Sequence, residues 1–254
     1  MEVHHHTHHP KKWKEYIQEF MMLFFAIFLG FMSEYYLEYR AERHKEQDYI
    51  NSMALDIRAD LAEMAEKIQG MESLKSMGKK LEKLLYKPVF TDDDVDSIYL
   101  IGTKMTATLI IPNFSSGTID QLKNAGGFRL IKNQEIVRKI SDYDRWKKTV
   151  NIQENIILEH WVNVHKMQNG IVHMTTIGAP EKLNEFTLDK NELNQIAALT
   201  GSKFLNADKK SLYAYANYIW VLRGYVSYYE IMIKMQQKNA SDLLKLIDKE
   251  ISHL

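Results

Sequence analysis

Three sets of side chains in this sequence are of types that can do chemistry, and their spacing decides what is open to each. The first is the stretch HHHTHHP near the N-terminus, where His4, His5, His6, His8 and His9 make up five of the chain's ten histidines. Neutral imidazoles at that density can take nickel, zinc or copper. The second is a pair of carboxylates, Glu19 and Glu34, that bracket the apolar run FMMLFFAIFLGFM. Ionisable groups placed there are candidates for binding cations or protons. The third is His160, His165 and His173. On a helix a separation of five turns the second ring about 140° from the first, whereas shared ligation favours three or four, so this set makes a poor metal site.

Other patterns exclude more than they offer. The acidic run TDDDVD, residues 91–96, lacks the glycine and terminal glutamate of a calcium loop and reads instead as a helix start. No HExxH, GxSxG, Walker A or GxGxxG pattern occurs, and no Glu-x-x-His pair falls in a helical region. With no cysteine, disulfides, thiol catalysis and cysteine-ligated zinc are out. Lys+Arg and Asp+Glu are equal at 33 each, so no global field recruits nucleic acid. Together these patterns argue against an enzyme.

The elements that must position these groups are helical. Only 11 Gly and 4 Pro interrupt 254 residues, and helix formers recur at spacings of three and four. Phe20 to Met32 is apolar or Gly at every position, leaving no polar stripe for a soluble amphipathic helix. Trp13 and Tyr16 precede the run and Tyr35, Tyr36 and Tyr39 follow it, as aromatic belts do at headgroup level. From Tyr16 to Tyr35 a helix rises roughly 28 Å, close to the ~30 Å of a hydrocarbon core. Residues 15–37 therefore read as one uncleaved transmembrane helix, after a His-rich basic tail over 1–14 and before a helical soluble domain over 38–254. Lys11, Lys12 and Lys14 before the helix tie with Arg40, Arg43 and Lys45 after it. The layout of a signal anchor points to a cytoplasmic N-terminus and a translocated domain, with the inverted topology as the alternative.

Within the anchor, Glu19, Leu23, Ala26, Gly30 and Glu34 share one face. Ala26 and Gly30 form a small-xxx-small pair that lets two membrane helices approach closely, so the segment is expected to self-associate. Beyond the membrane, Ile50, Met53, Ile57, Leu61, Met64, Ile68 and Met71 form a heptad-like seam that could pair with a second chain or with a later helix of its own. Pro88 ends this helix, Thr91 and Asp94 open the next, and Ile110, Ile111 and Pro112 close it. A short helix capped by Thr118 and Gln121 stops at Gly126-Gly127. Asn133 caps a long helix with Ile136, Ile140, Tyr143, Val150, Ile157, Trp161 and Val164 on one face, Lys147 and Glu154 being its polar exceptions. After an irregular stretch with one short helix near Glu192 to Leu199, a last helix carries Leu212, Ala216, Ile219, Val226, Ile233, Leu244, Ile247 and Ile251. The predicted fold is all-α: a transmembrane helix continuing into a long helix, followed by an antiparallel helical bundle.

Two segments carry a resemblance. The chain from HHHTHHP through the apolar helix to DIRAD, and the block TIDQLKNAGGFRLIKNQEIVRKISDY, resemble a family of uncharacterised single-pass membrane proteins of Gram-negative bacteria. The resemblance covers about a third of the chain and implies an inner-membrane anchor with acids bracketing the helix, matched here by Glu19 and Glu34. It implies no reaction, substrate or catalytic residue. In that context, and with its break at Thr7, HHHTHHP reads as a native juxtamembrane tail that would hold any transition metal at the membrane surface. The expected function is a non-enzymatic, self-associating inner-membrane protein of a cell-envelope assembly. Its partners are the lipid bilayer, further copies of the chain and an envelope protein. The alternatives are an oligomeric ion or proton channel using Glu19 and Glu34, and a metal sensor using the histidine tail.

Overall fold

A helix free of proline has no reason to stop, and none lies between Pro10 and Pro88. The computed structural model, which describes residues 12–108, 110–173, 198 and 200–252, accordingly opens with one helix, α1, Trp13–Leu85. At ~1.5 Å per residue its 73 residues reach roughly 110 Å. Four more helices follow among the described residues: α2 (Asp92–Ala107), α3 (Gly117–Asn124), α4 (Gln134–Asn169) and α5 (Lys209–Ile251), with a 3-10 turn over Gly127–Arg129. One isolated antiparallel bridge, Val172 to Phe204, ties the segment after α4 to the approach to α5.

Cross-contacts give the directions. Arg58 pairs with Asp248, Lys75 with Glu230 and Glu82 with Arg223, so α5 runs antiparallel to α1. Gln236 donates to the Tyr143 carbonyl while His160 stacks on Tyr225, so α5 is also antiparallel to α4. Asn113 meets Glu63, Ser115 meets Asp60 and Thr118 meets Asp56, so the chain from α2 through α3 descends along α1. The architecture is an up, down, up, down bundle whose second leg is broken into α2 and α3.

The seam predicted along α1 is buried inside this one chain, where Ile50, Met53, Ile57, Met64 and Met71 are at most 1% exposed. Its partner is chiefly α5, through Leu212, Ala216, Ile219, Val226, Ile233 and Ile247. At one close approach of α1 and α5, a Cβ on Gly78 would lie 2.6 Å from Arg223 Cδ. The space left by that glycine lets Arg223 reach Glu82 through one nitrogen, at 2.6 and 2.7 Å from its two oxygens. This explains how an arginine sits in the middle of the apolar stretch YAYANYIWVLRGYVSYY.

Several local expectations shift. Leu61 is only half-buried, and Asp60 takes the inward position one residue earlier. Near the end of α5, Leu243 is the buried residue, while Leu244 is half-buried and Ile251 is 37% exposed, because the seam drifts around a helix that runs to the edge of the bundle. Helix α2 ends at Ala107, before Ile110, and the Thr106 and Thr108 hydroxyls bond back to carbonyls of its last turns. Helix α3 starts at Gly117 without a local side-chain cap, and Thr118 donates its backbone N–H to Asp56 instead. The Thr91/Asp94 capping box and the Asn133 cap form as expected. The short helix expected over 192–199 lies almost wholly outside the described residues.

Glu230 shows how ion pairs fasten α5. It is buried, which raises its carboxyl pKa, but bonds from Lys234 and Lys75 outweigh this and hold it below the ordinary 4.5. A carboxyl depressed on folding stabilises fully above its unfolded pKa and loses that contribution as pH falls through the folded value. Thermal unfolding of the full chain in detergent, followed by circular dichroism from neutral pH downward, should show Glu230→Gln less stable at pH 7 and with a shallower acid-side decline. Identical pH slopes in the two proteins would contradict this.

Candidate functional site

The bundle end nearest the apolar segment is assembled from acidic side chains of α1 and backbone N–H groups of the descending leg. Glu46 accepts the Lys132 N–H at 2.6 Å, Asp56 that of Thr118 at 3.3 Å, Asp60 that of Ser115 at 2.7 Å and Glu63 that of Asn113 at 3.2 Å. A broken leg leaves such N–H groups without helical partners, and the carboxylates supply them. Asp60 is the centre of this clasp. It is 1% exposed, and its second oxygen takes the Tyr143 hydroxyl at 2.5 Å. Lys147, also buried, donates to the Ser115 carbonyl and lies 5.6 Å from the Phe114 ring centroid.

The electrostatics follow from burial. Burial lowers the Lys147 ammonium pKa, while Asp60, Asp144, Asp120 and Asp56 act in the opposite direction. Burial pushes the Tyr143 phenol well up, and the Asp60 carboxylate adds to the rise. Both Asp60 oxygens and the Tyr143 hydroxyl are engaged inside the protein, so the set fastens the 113–118 loop and leaves no free nucleophile or base there. Elsewhere in the bundle the Tyr99 phenol is raised to about 12 by burial and bonds the His173 carbonyl.

Below the clasp, the Gly126-Gly127 pair sets the chain against α1. Gly126 is left-handed at φ 65°, and a Cβ on Gly127 would lie 2.9 Å from Leu122 Cδ2 and 3.1 Å from Tyr49 Cε2. The chain then passes Arg129 and reaches Lys132, whose ammonium donates to the Tyr39 hydroxyl at 3.0 Å and lies 4.6 Å from that ring's centroid. That bond and the nearby charge lower the Tyr39 pKa.

The other predicted site residues are not brought together. Glu19, Ala26, Gly30 and Glu34 all lie on the exposed part of α1, and nothing comes within 4 Å of a Cβ built on Gly30. The two carboxylates are roughly 22 Å apart along the helix axis. The window of α1 with mean hydropathy 1.7 is 0% buried, so the chain has one N-terminal helix long and apolar enough to cross a membrane. His160 stacks on Tyr225 at 4.1 Å and His165 on Trp161 at 5.7 Å, so the two rings have different aromatic partners. No three His, Asp or Glu side chains converge on a metal site among the described residues. His4, His5, His6, His8 and His9 lie outside the described residues.

Sequence reasoning missed the clasp. Lys147 stood out as a polar residue on an apolar stripe, but Asp60 did not, because a template of apolar positions selects Leu61 beside it. The available signal was spacing: Asp60 is three residues after Ile57 and four before Met64. In the first half of α5, Trp220 and Tyr228 are 67% and 55% exposed around a shallow groove of about 280 Å³ at Gly224.

Comparison with family models, with curated proteins and with solved structures finds no match. Two stretches far apart in the chain meet in the clasp: Glu46, Asp56 and Asp60 come from the first, and Thr118, Lys132 and Tyr143 from the second. Denaturant unfolding should rank the clasp residues. Asp60→Ala, which leaves the Ser115 N–H and the Tyr143 hydroxyl without their acceptor, is expected to cost about 2–4 kcal/mol. Tyr143→Phe, which leaves Asp60 its other donor, should cost about 1–2 kcal/mol. The reverse order would show that Asp60 is not the centre of the clasp.

Proposed function

We propose that this chain is a non-enzymatic, single-pass protein of a bacterial inner membrane that self-associates and serves as a scaffold in a cell-envelope assembly. The observation that carries the reading is α1. Its apolar segment, fully exposed at 0% buried, continues without a break into a bundle whose own seam is filled. A soluble protein would leave Phe20, Phe24, Phe28 and Leu29 in water, at 65%, 49%, 46% and 59% exposure. In lipid they need no protein partner. Self-association falls to the open Ala26/Gly30 face, because the Ile50 to Met71 seam is occupied by α5. The exposed Trp220 and Tyr228 face lies level with Glu82, roughly 65–70 Å along α1 from Leu37, and suits a protein partner held away from the bilayer.

In this reading the helical domain is periplasmic and the histidine tail cytoplasmic, the layout of a signal anchor. The inner membrane comes from the resemblance to the Gram-negative single-pass family. A topology reporter fused after Leu254 should be active only in its periplasmic form. Chemical cross-linking and mass photometry in detergent should find oligomers that shift to monomer in Gly30→Leu, where the close helix approach is blocked. A clean monomer in both proteins removes the self-association, and a cytoplasmic reporter signal inverts the topology.

A further inference from the structure

We infer that the membrane-proximal end of the bundle docks on anionic phospholipid headgroups of the bilayer that α1 crosses, through Arg40, Arg129 and Lys132. The inference rests on the anchoring proposed above. Because α1 is a single helix, height above the bilayer is fixed by residue number, and Tyr39 lies about 3 Å beyond Leu37. Headgroups occupy roughly 6 Å on each side of the hydrocarbon core. The Lys132 ammonium, held to the Tyr39 hydroxyl at 3.0 Å, is therefore at headgroup height although its backbone belongs to the bundle.

Charge supports the same partner. Arg40, Lys45, Arg129 and Lys132 are exposed, and among the described residues no carboxylate pairs with any of them. Exposed carboxylates near these cations are Glu38 and Glu42 just beyond the anchor and, farther along α1 and α4, Asp48 and Glu135. Glu46 is buried and taken by Arg43 and the Lys132 N–H, and His44 faces Asp48. Arg40, Arg43, His44 and Gln47 also line a shallow groove of about 430 Å³ on the first turns beyond the anchor. Arg40 to Gln47 rise no more than about 15 Å beyond Leu37, where a negative leaflet attracts basic side chains and salt weakens the attraction. The loop pays little ordering entropy on docking, since Gly127 packs against Leu122 and Tyr49 and Glu46 already holds the Lys132 N–H.

The absence of cysteine allows single-site labelling. The full chain carrying a fluorophore at exposed Ala125→Cys is reconstituted in vesicles of phosphatidylcholine, alone or with a third phosphatidylglycerol, both containing headgroup-nitroxide lipid. Quenching is expected to be about twofold stronger in the anionic vesicles, and to fall to the zwitterionic level in 0.5 M salt or in Arg129→Glu/Lys132→Glu. A label at Val89→Cys, at the far end of the bundle, should be unquenched in both. Equal quenching of the Ala125→Cys label in both lipids, or quenching indifferent to the charge reversal in a variant with native circular dichroism, overturns the docking. A label at Leu29→Cys read against acyl-chain nitroxide separates the two readings. If it is quenched while the Ala125→Cys label ignores lipid charge, the anchor stands and the docking falls. If it is not quenched, the anchor itself fails.

Discussion

The constraint on which the rest of the structure depends is the continuity of α1. Between Pro10 and Pro88 nothing interrupts the backbone ladder, so an apolar segment that suits lipid and a seam that suits protein share one rod of 73 residues. Helices α2, α3 and α5 pack on that rod while α4 packs chiefly on α5, and levels are set by the α1 residues that side chains and loops meet. Tyr39 sets the level of Lys132, Asp60 that of Ser115 and Tyr143, and Glu82 that of Arg223. A flexible linker at residue 38 would leave each of these contacts intact yet remove their relation to the apolar segment.

The broken second leg is where the fold meets its largest cost. Ile110 to Ser116 runs without helical hydrogen bonds through a region where Ile110 is 3% exposed, and buried N–H groups without partners are expensive. Carboxylates on α1 accept from two N–H groups of this stretch, Asn113 and Ser115, and from Thr118 in the first turn of α3. Burying Asp60 brings its own desolvation cost, which Tyr143, the Ser115 N–H and nearby Lys147 offset. An apolar residue at 60 would pack more cheaply but would leave the Ser115 N–H unanswered. The charge therefore specifies where the break falls on α1, a role in register more than in raw stability.

The sequence made most of this fold legible because helices announce themselves by period and punctuation. Pro88, the Thr91/Asp94 box, Gly126 and Asn133 each act through a local steric or hydrogen-bonding rule, and each marks a boundary in the structure to within a few residues. The clasp was not legible, because its carboxylate–backbone bonds join residues 50 to 86 apart in the chain, and backbone donors have no sequence signature. The partner of the seam was hidden for a related reason: Ile50 to Met71 is equally suited to a second chain or to α5. The absence of a Thr118 cap follows the same pattern, since Asp56 supplies from a distance what the local rule assigns to Thr118 itself.

Once α5 fills the seam, the surfaces left for other molecules sort by height. The anchor offers Ala26 and Gly30, the first turns beyond it offer unpaired cations, and the far end offers Trp220 and Tyr228. Small residues suit a helix in lipid, cations suit a charged interface and exposed aromatics suit a desolvated protein contact. Each surface thus has the chemistry that the proposed anchoring would place at its own level on the rod. A soluble bundle gives no reason for that order, because water presents the same environment at every height. The cations and the aromatics are thus a second line of support for the proposed anchoring, separate from the hydropathy of residues 20–32, since they lie outside that segment.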